Sequence, residues 1–134
     1  MYRKPHTNIL RYLGSQKNIV LLKGSLALVC VEARKMSKNQ IEAGRVAIGR
    51  ILKKKRGGLK VFVSAYADRA ITAKPSEVRM GKGKGALDYW CSTVNSGRIL
   101  FEFQGVSKSI AEEAALLGSR KLPMQTKFVT LEKR

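Results

Sequence analysis

The chain has little of what catalysis, metal binding or membrane insertion would need. Its 134 residues include one histidine, His6, and two cysteines, Cys30 and Cys91. With no CxxC and a single imidazole there is no metal-ligand spacing to assemble, so no metal is expected. Both cysteines lie inside apolar, strand-like runs, which favours two reduced core thiols over a disulfide and fits a reducing compartment. No serine or cysteine stands with a placed base, and Asp68 and Asp88 fall in unrelated contexts, so there is no catalytic constellation. The longest unbroken apolar run, Leu26 to Val31, is six residues, against about 20 for a membrane span. No membrane partner is expected.

Acids are also scarce. Nine Asp plus Glu stand against 27 Lys plus Arg, a net charge of +18. That is far beyond what solubility needs, and it calls for a polyanionic partner. The excess is uneven: residues 1 to 60 hold 15 basic and 2 acidic residues, residues 61 to 134 hold 12 and 7. The length suits one domain, residues 1–134, with a real core. The first thirty residues contain no acid, and Arg3, Lys4, Arg11 and Lys17 give them a faint likeness to an organellar transit peptide. The preferred reading is a basic N-terminal arm, residues 1–18, that stays on the protein and lies along RNA.

One stretch organises the rest. In RMGKGKGALDYW, Arg79 to Trp90, Gly81, Gly83 and Gly85 remove Cβ at every second position while Arg79, Lys82 and Lys84 add charge. Glycine admits positive φ and close backbone approach, and bare amides and ammonium groups are both phosphate ligands. With almost nothing apolar before Leu87, the segment reads as a projecting loop, residues 76–88, rather than core. Three readings compete: a mobile loop with solvated lysines, a nucleotide pocket, and a nucleic-acid loop. Gly81, Gly83 and Ala86 fit G-x-G-x-x-A, but that fingerprint needs a helix at its end, and Tyr89 to Cys91 lead into a strand-like segment. No GxxxxGK[ST] occurs, and no cofactor is expected. The charge balance favours nucleic acid.

Regular elements can be read around the loop. Ile19–Leu22 and Leu26–Val31 suggest a hairpin turning at Lys23, Gly24 and Ser25. Ser37 and Gln40 form a capping box that should open a helix. Ile41, Ile48, Ile51 and Leu52 make its apolar stripe, with Arg45, Arg50, Lys53 and Lys54 largely off it, and Gly57 and Gly58 should close it. The Lys53–Lys54–Lys55–Arg56 cluster exceeds what a helix dipole asks for and reads as a phosphate footprint. Leu59 to Ala65 alternates as a strand, and Ile71 to Lys74 forms a short one before Pro75. Tyr89–Val94 and Arg98–Gln104 read as a hairpin around Asn95, Ser96 and Gly97. Ser107 should cap a second helix reaching about Lys121, with Ile110, Ala114 and Leu117 buried and Ala111, Ala114, Ala115 and Gly118 allowing close packing on a sheet. Pro123 stops it, and Gln125 to Leu131 is a final strand.

Taken together, RMGKGKG with Trp90 behind it, QIEAGR at Gln40 to Arg45, GRILFEFQGV at Gly97 to Val106 and KLPMQTKFV at Lys121 to Val129 resemble the large-subunit ribosomal protein L-sixteen family of bacteria and organelles. The resemblance runs from about residue 26 to the end. It implies an α/β (α+β) domain, a sheet with two helices packed on it, carrying the glycine loop and the basic arm. It further implies a structural, non-enzymatic constituent of the large subunit that binds its rRNA, helps shape the A site near the peptidyl-transferase centre, and points Arg79, Met80, Gly81, Lys82, Gly83, Lys84 and Gly85 toward A-site tRNA. Candidate rRNA-binding residues are Arg3, Lys4, Arg11, Lys35, Lys38, Arg45, Arg50, Lys53, Lys54, Lys55 and Arg56. Partners would be rRNA, A-site tRNA and neighbouring large-subunit proteins, without a homo-oligomer. The arm, RKPHTNILRYLG, is less basic than the family's usual K-x-x-K-[FY]-R-K-x-x-R, a drift that suits an organellar ribosome, with the mitochondrial matrix favoured over a bacterial-type cytoplasm. The rival classes are a small nucleotide-binding enzyme and a free RNA chaperone.

Overall fold

The computed structural model describes residues 4–6, 20–55 and 60–130. In chain order these form β1 (Leu26–Cys30), β2 (Arg34–Ser37), α1 (Lys38–Lys54), β3 (Lys60–Val63), β4 (Arg69–Ala73), β5 (Ala86–Val94), β6 (Ile99–Gln104), α2 (Lys108–Ser119) and β7 (Thr126–Thr130). The strands divide into two antiparallel sheets, one ordered β3-β6-β1-β7 and the other β2-β5-β4. The fold is an α+β single domain whose two helices pack on each other. Helix α1 also touches β2, β3 and β5 and so spans both sheets, while α2 lies against β1 and β7.

Strand β1 is apolar throughout because it is interior to its sheet and covered on both faces, and all five of its residues are buried. Phe101 and Phe103 of β6 are fully buried beside it. The Phe103 and Phe128 rings meet across β1, tilted by 55° with centroids 6.3 Å apart. Helix α1 opens as its sequence requires: Ser37 Oγ accepts the Gln40 amide at 3.2 Å and Gln40 Oε1 accepts the Ser37 amide at 2.9 Å. Ile41, Gly44, Ile48 and Leu52 form its buried stripe, and Ile51 packs at the margin. The expected glycine closure at Gly57 and Gly58 lies outside the described residues.

Three expectations are corrected. Val20 to Leu22 is not a strand, and the hairpin around Gly24 does not form. Both edges of β1 are taken, by β6 and β7, and the incoming chain is held instead by Glu102, whose Oε2 accepts the Lys23 and Gly24 amides at 2.8 and 3.1 Å. Gly24 presses so closely on β6 that a Cβ there would sit 2.2 Å from the Phe103 carbonyl oxygen.

The Asn95–Ser96–Gly97 turn exists, with Gly97 at φ 83°, yet the strands on its two sides do not pair with each other. Strand β5 pairs with β2 and β4, and β6 pairs with β1 and β3. The backbone of Cys30 enters at the turn, donating to Arg98 O at 3.0 Å and accepting from Gly97 N at 2.8 Å. The Arg98 guanidinium links the two sheets, donating to the Thr93 carbonyl of β5 at 3.2 Å and to the Ser64 carbonyl just after β3 at 3.4 Å. The turn therefore passes the chain from one sheet to the other.

The third correction concerns α2, which packs chiefly on α1 and only lightly on β1 and β7, where the sequence suggested close packing on a sheet. Ala111, Ala114, Ala115 and Gly118 are its buried positions, with Ile110 and Leu117 at the margin. A Cβ on Gly118 would lie 2.6 Å from Ile48 Cγ1 and 3.7 Å from Gly44 O, so the two helices approach through glycine on each side. Ser107 occupies the N-cap position without making the side-chain capping bond.

Candidate nucleic-acid interface

The glycine loop is built on the β4–β5 pair. These strands zip from Arg69↔Cys91 to Ala73↔Ala86, so residues 86 to 88 are already strand and the projecting part is narrower than 76–88. Ala86 opens a strand where the dinucleotide fingerprint needs a helix, and the phosphate-cradle reading fails there. Beyond Ala73 the chain turns at Pro75, whose carbonyl accepts the Val78 amide at 3.2 Å, and residues 79 to 84 are all exposed. Met80 is completely bare at 101% relative accessibility, so the tip contributes nothing to the core.

The three glycines serve two different ends. Gly81 and Gly83 adopt φ of 99° and 87° and flank Lys82 at φ 56°; a Cβ on either glycine would meet nothing within 4 Å. These two supply left-handed backbone, and the room around them is open. Gly85 is the reverse case. A Cβ there would stand 2.5 Å from the Ala73 oxygen and 2.6 Å from its carbonyl carbon, so only glycine lets the loop close at its neck.

Three lysines tie the loop down. Lys74 Nζ donates to the Gly81 carbonyl and Lys84 Nζ to the Pro5 carbonyl, while Lys4 Nζ donates to the Gly85 carbonyl at 3.0 Å. Lys4 and Lys84 thereby join the start of the chain to the loop. Sequence reasoning passed over Lys74; its one signal was a cation placed at the entry to a glycine loop, just before Pro75.

The remaining candidate cations separate into free and committed groups. Lys38, Arg50, Lys53 and Lys54 are exposed along α1, and Lys35 is half-buried on β2. Arg45 is engaged by Glu42, with Nη2 to Oε1 at 2.5 Å and Nε to Oε2 at 3.0 Å. That contact holds the Glu42 carboxyl below its usual range and raises Arg45. Lys55 is engaged by Glu113 of α2 at 2.5 Å, which reduces what it can offer a phosphate. Arg3, Arg11 and Arg56 lie outside the described residues.

The two thiols stay inside. Cys30 and Cys91 are free and buried. Desolvation pushes the Cys30 thiol above its ordinary value against backbone hydrogen bonds around Arg98 and Gly97, and desolvation likewise raises Cys91 against the field of Lys35. Neither is placed for nucleophilic work. Among the described residues no group of His, Cys, Asp and Glu could hold a metal, and no helix is long and apolar enough to cross a membrane.

Comparison with known proteins agrees with the motifs. Residues 1–129 match the family of ribosomal protein L16p/L10e. The chain is 46% identical over 132 residues to the large ribosomal subunit protein uL16c of Adiantum capillus-veneris, covering 98% of this chain and 93% of that one. It is 45% identical over 129 residues to the large ribosomal subunit protein uL16c of Gracilaria tenuistipitata, covering 96% and 93%, and the same figures hold for the variety liui. Family match, identity and near-complete coverage agree with the exposed glycine–lysine loop: this chain belongs to the ribosomal protein L16p/L10e family, and it is a structural ribosomal protein rather than an enzyme.

Proposed function

We propose that this protein, a structural constituent of the large ribosomal subunit like the relatives it matches, binds large-subunit rRNA and helps shape the A site near the peptidyl-transferase centre. The observation that carries the reading is the loop from Arg79 to Gly85. It is exposed, pinched at its neck by Gly85, left-handed at three consecutive residues and charged at Arg79, Lys82 and Lys84. Such a finger can enter a crevice too narrow for bulky side chains and offer it amides and ammonium groups. A-site tRNA is the ligand proposed for its tip. The exposed cations of α1, above all Arg50, Lys53 and Lys54, supply the sequence-independent phosphate contacts that fix the body on rRNA. An organellar ribosome is the proposed setting, with the mitochondrial matrix favoured because the arm at Arg3 to Gly14 is less basic than the family's usual pattern.

Co-sedimentation with large subunits after a high-salt wash is the test. Retention supports a particle-bound role; complete release into the free pool points to the RNA-chaperone reading. Removing Gly81 to Lys84 should leave assembly intact and impair A-site tRNA binding, and normal tRNA accommodation in that variant would reduce the loop to a spacer.

A further inference from the structure

Five exposed cations, Lys4, Lys74, Arg79, Lys82 and Lys84, stand on or beside the glycine finger. They do different things. Arg79 and Lys82 make no hydrogen bond or ion pair among the described residues. The other three are each turned back onto a backbone carbonyl. Lys74 acts within the loop, on the Gly81 carbonyl. Lys4 and Lys84 act between segments 81 and 79 residues apart: Lys4 Nζ donates to the Gly85 carbonyl at 3.0 Å, and Lys84 Nζ donates in return to the Pro5 carbonyl. Each segment thus supplies one ammonium and, from the next residue along, one carbonyl. The two contacts form a single reciprocal clasp at the neck of the finger.

Both halves of the clasp are prepared by their sequence. Pro5 has its own φ fixed and pushes Lys4 toward an extended backbone, so the strap at residues 4–6 has few conformations to lose. On the other side, the close approach of Gly85 to Ala73 sets the carbonyl that Lys4 meets, directly before the Ala73↔Ala86 pair of the β4–β5 ladder. Toward the tip, Gly81 and Gly83 leave the backbone free to turn.

We propose that the start of the chain braces the finger: Lys4 and Lys84 are positioning residues that set its direction at the neck, while Arg79 and Lys82 are left to meet the ligand. A glycine run that docks from a loose state loses much backbone entropy; one fixed beforehand loses less. Lys84 still has N–H groups for a phosphate, because an ammonium carries three donors and Pro5 takes one. That the ligand is A-site tRNA rests on the function proposed above; the brace does not.

Backbone amide relaxation, measured by NMR on the free full-length protein, tests the brace. The salt should be about 150 mM, where repulsion between exposed lysines is screened within about 8 Å. Lys4→Met should lower the order parameters of the Lys82, Gly83 and Lys84 amides from about 0.85 to below about 0.6, with the amides of β1 and α1 unchanged. Lys84→Met should do the same. The double variant should be scarcely looser than either single, because both contacts hold one junction. Lys4→Arg keeps a donor and should restore the wild-type values. Equal order parameters in wild type and Lys4→Met, or losses that simply add in the double variant, overturn the proposal. A second readout is A-site tRNA binding to large subunits assembled with Lys4→Met, which should weaken about threefold or more as the loosened finger is ordered on docking and recover with Lys4→Arg. Loosened amides with unchanged tRNA affinity uphold the brace and count instead against tRNA as the finger's ligand.

Discussion

Replacing Gly85 with alanine should damage the fold more than replacing either of the glycines that look more exposed to change. The added Cβ meets the Ala73 oxygen at 2.5 Å, its carbonyl carbon at 2.6 Å and the Lys74 nitrogen at 2.9 Å. An ordinary C···O contact is about 3.3 Å or more, so the neck must open by nearly an ångström. All three obstacles are backbone, and no side chain can swing aside. The opening falls beside Ala73↔Ala86, the last pair of the β4–β5 ladder. Overpacking of this kind costs about 1–3 kcal/mol. At roughly 4 °C per kcal/mol for a domain of this size, Tm should fall by about 4–12 °C.

Gly83→Ala is the control. It meets nothing within 4 Å but sits at φ 87°, a left-handed conformation that costs about 1–2 kcal/mol with a Cβ. An exposed loop relieves that cost by rearranging locally, so Tm should barely move while RNA affinity falls. Scanning calorimetry together with hydrogen exchange at the Ala73 and Ala86 amides separates the two variants. A wild-type Tm for Gly85→Ala, or a larger loss for Gly83→Ala, refutes the assignment of separate tasks to the two glycines.

Three further outcomes follow from the same structure. Lys53→Gln with Lys54→Gln should flatten the log–log salt dependence of rRNA-fragment binding by about 1.4 to 1.8 units, and Lys55→Gln should change it less, because Glu113 already holds that ammonium; filter binding across a salt series checks both. Gly118→Ala should cost about 1–3 kcal/mol by driving a methyl into Ile48 Cγ1 and Cδ1 at 2.6 and 2.7 Å, and Ile48→Val should restore part of the loss, measured as a double-mutant cycle in urea. Burial raises both thiols, so the folded state holds its protons more tightly than the unfolded one: this contribution is complete at neutral pH and is lost as pH rises past about 8.5. Native protein should therefore label slowly at Cys30 and Cys91 at pH 7, and Cys30→Ala with Cys91→Ala should lessen the fall in stability above pH 9.

How much of this was legible in the chain depended on how local the physics is. Ser37, Gln40 and the stripe from Ile41 to Leu52 specify α1 within one segment, and α1 forms as read. Leu26 to Val31 announced a buried strand, and β1 occupies the interior of a sheet. The turn at Asn95, Ser96 and Gly97 was also readable, down to the left-handed glycine. What it could not disclose was which strands would pair, because that is decided by Cys30, some 65 residues earlier in the chain, whose backbone takes the hydrogen bonds a hairpin would have used. Glu102 is a similar case. A carboxylate in the middle of ILFEFQ looks like a solvent-facing strand position, yet it is buried because the Lys23 and Gly24 amides need an acceptor.

The interface was legible in kind and less so in parts. Alternating glycine and lysine declared an exposed cationic loop, but the sequence gives Gly81, Gly83 and Gly85 the same appearance, and only the approach of Ala73 distinguishes the third. Likewise KKKR reads as four equivalent cations until Glu113 is brought across from α2.

A structure of the assembled large subunit tests the central claim most directly. Nucleotides of rRNA or A-site tRNA should lie within hydrogen-bond distance of Lys82, Lys84 and the backbone amides between Gly81 and Gly85. A glycine finger projecting into open solvent, with no nucleotide near it, would contradict the account.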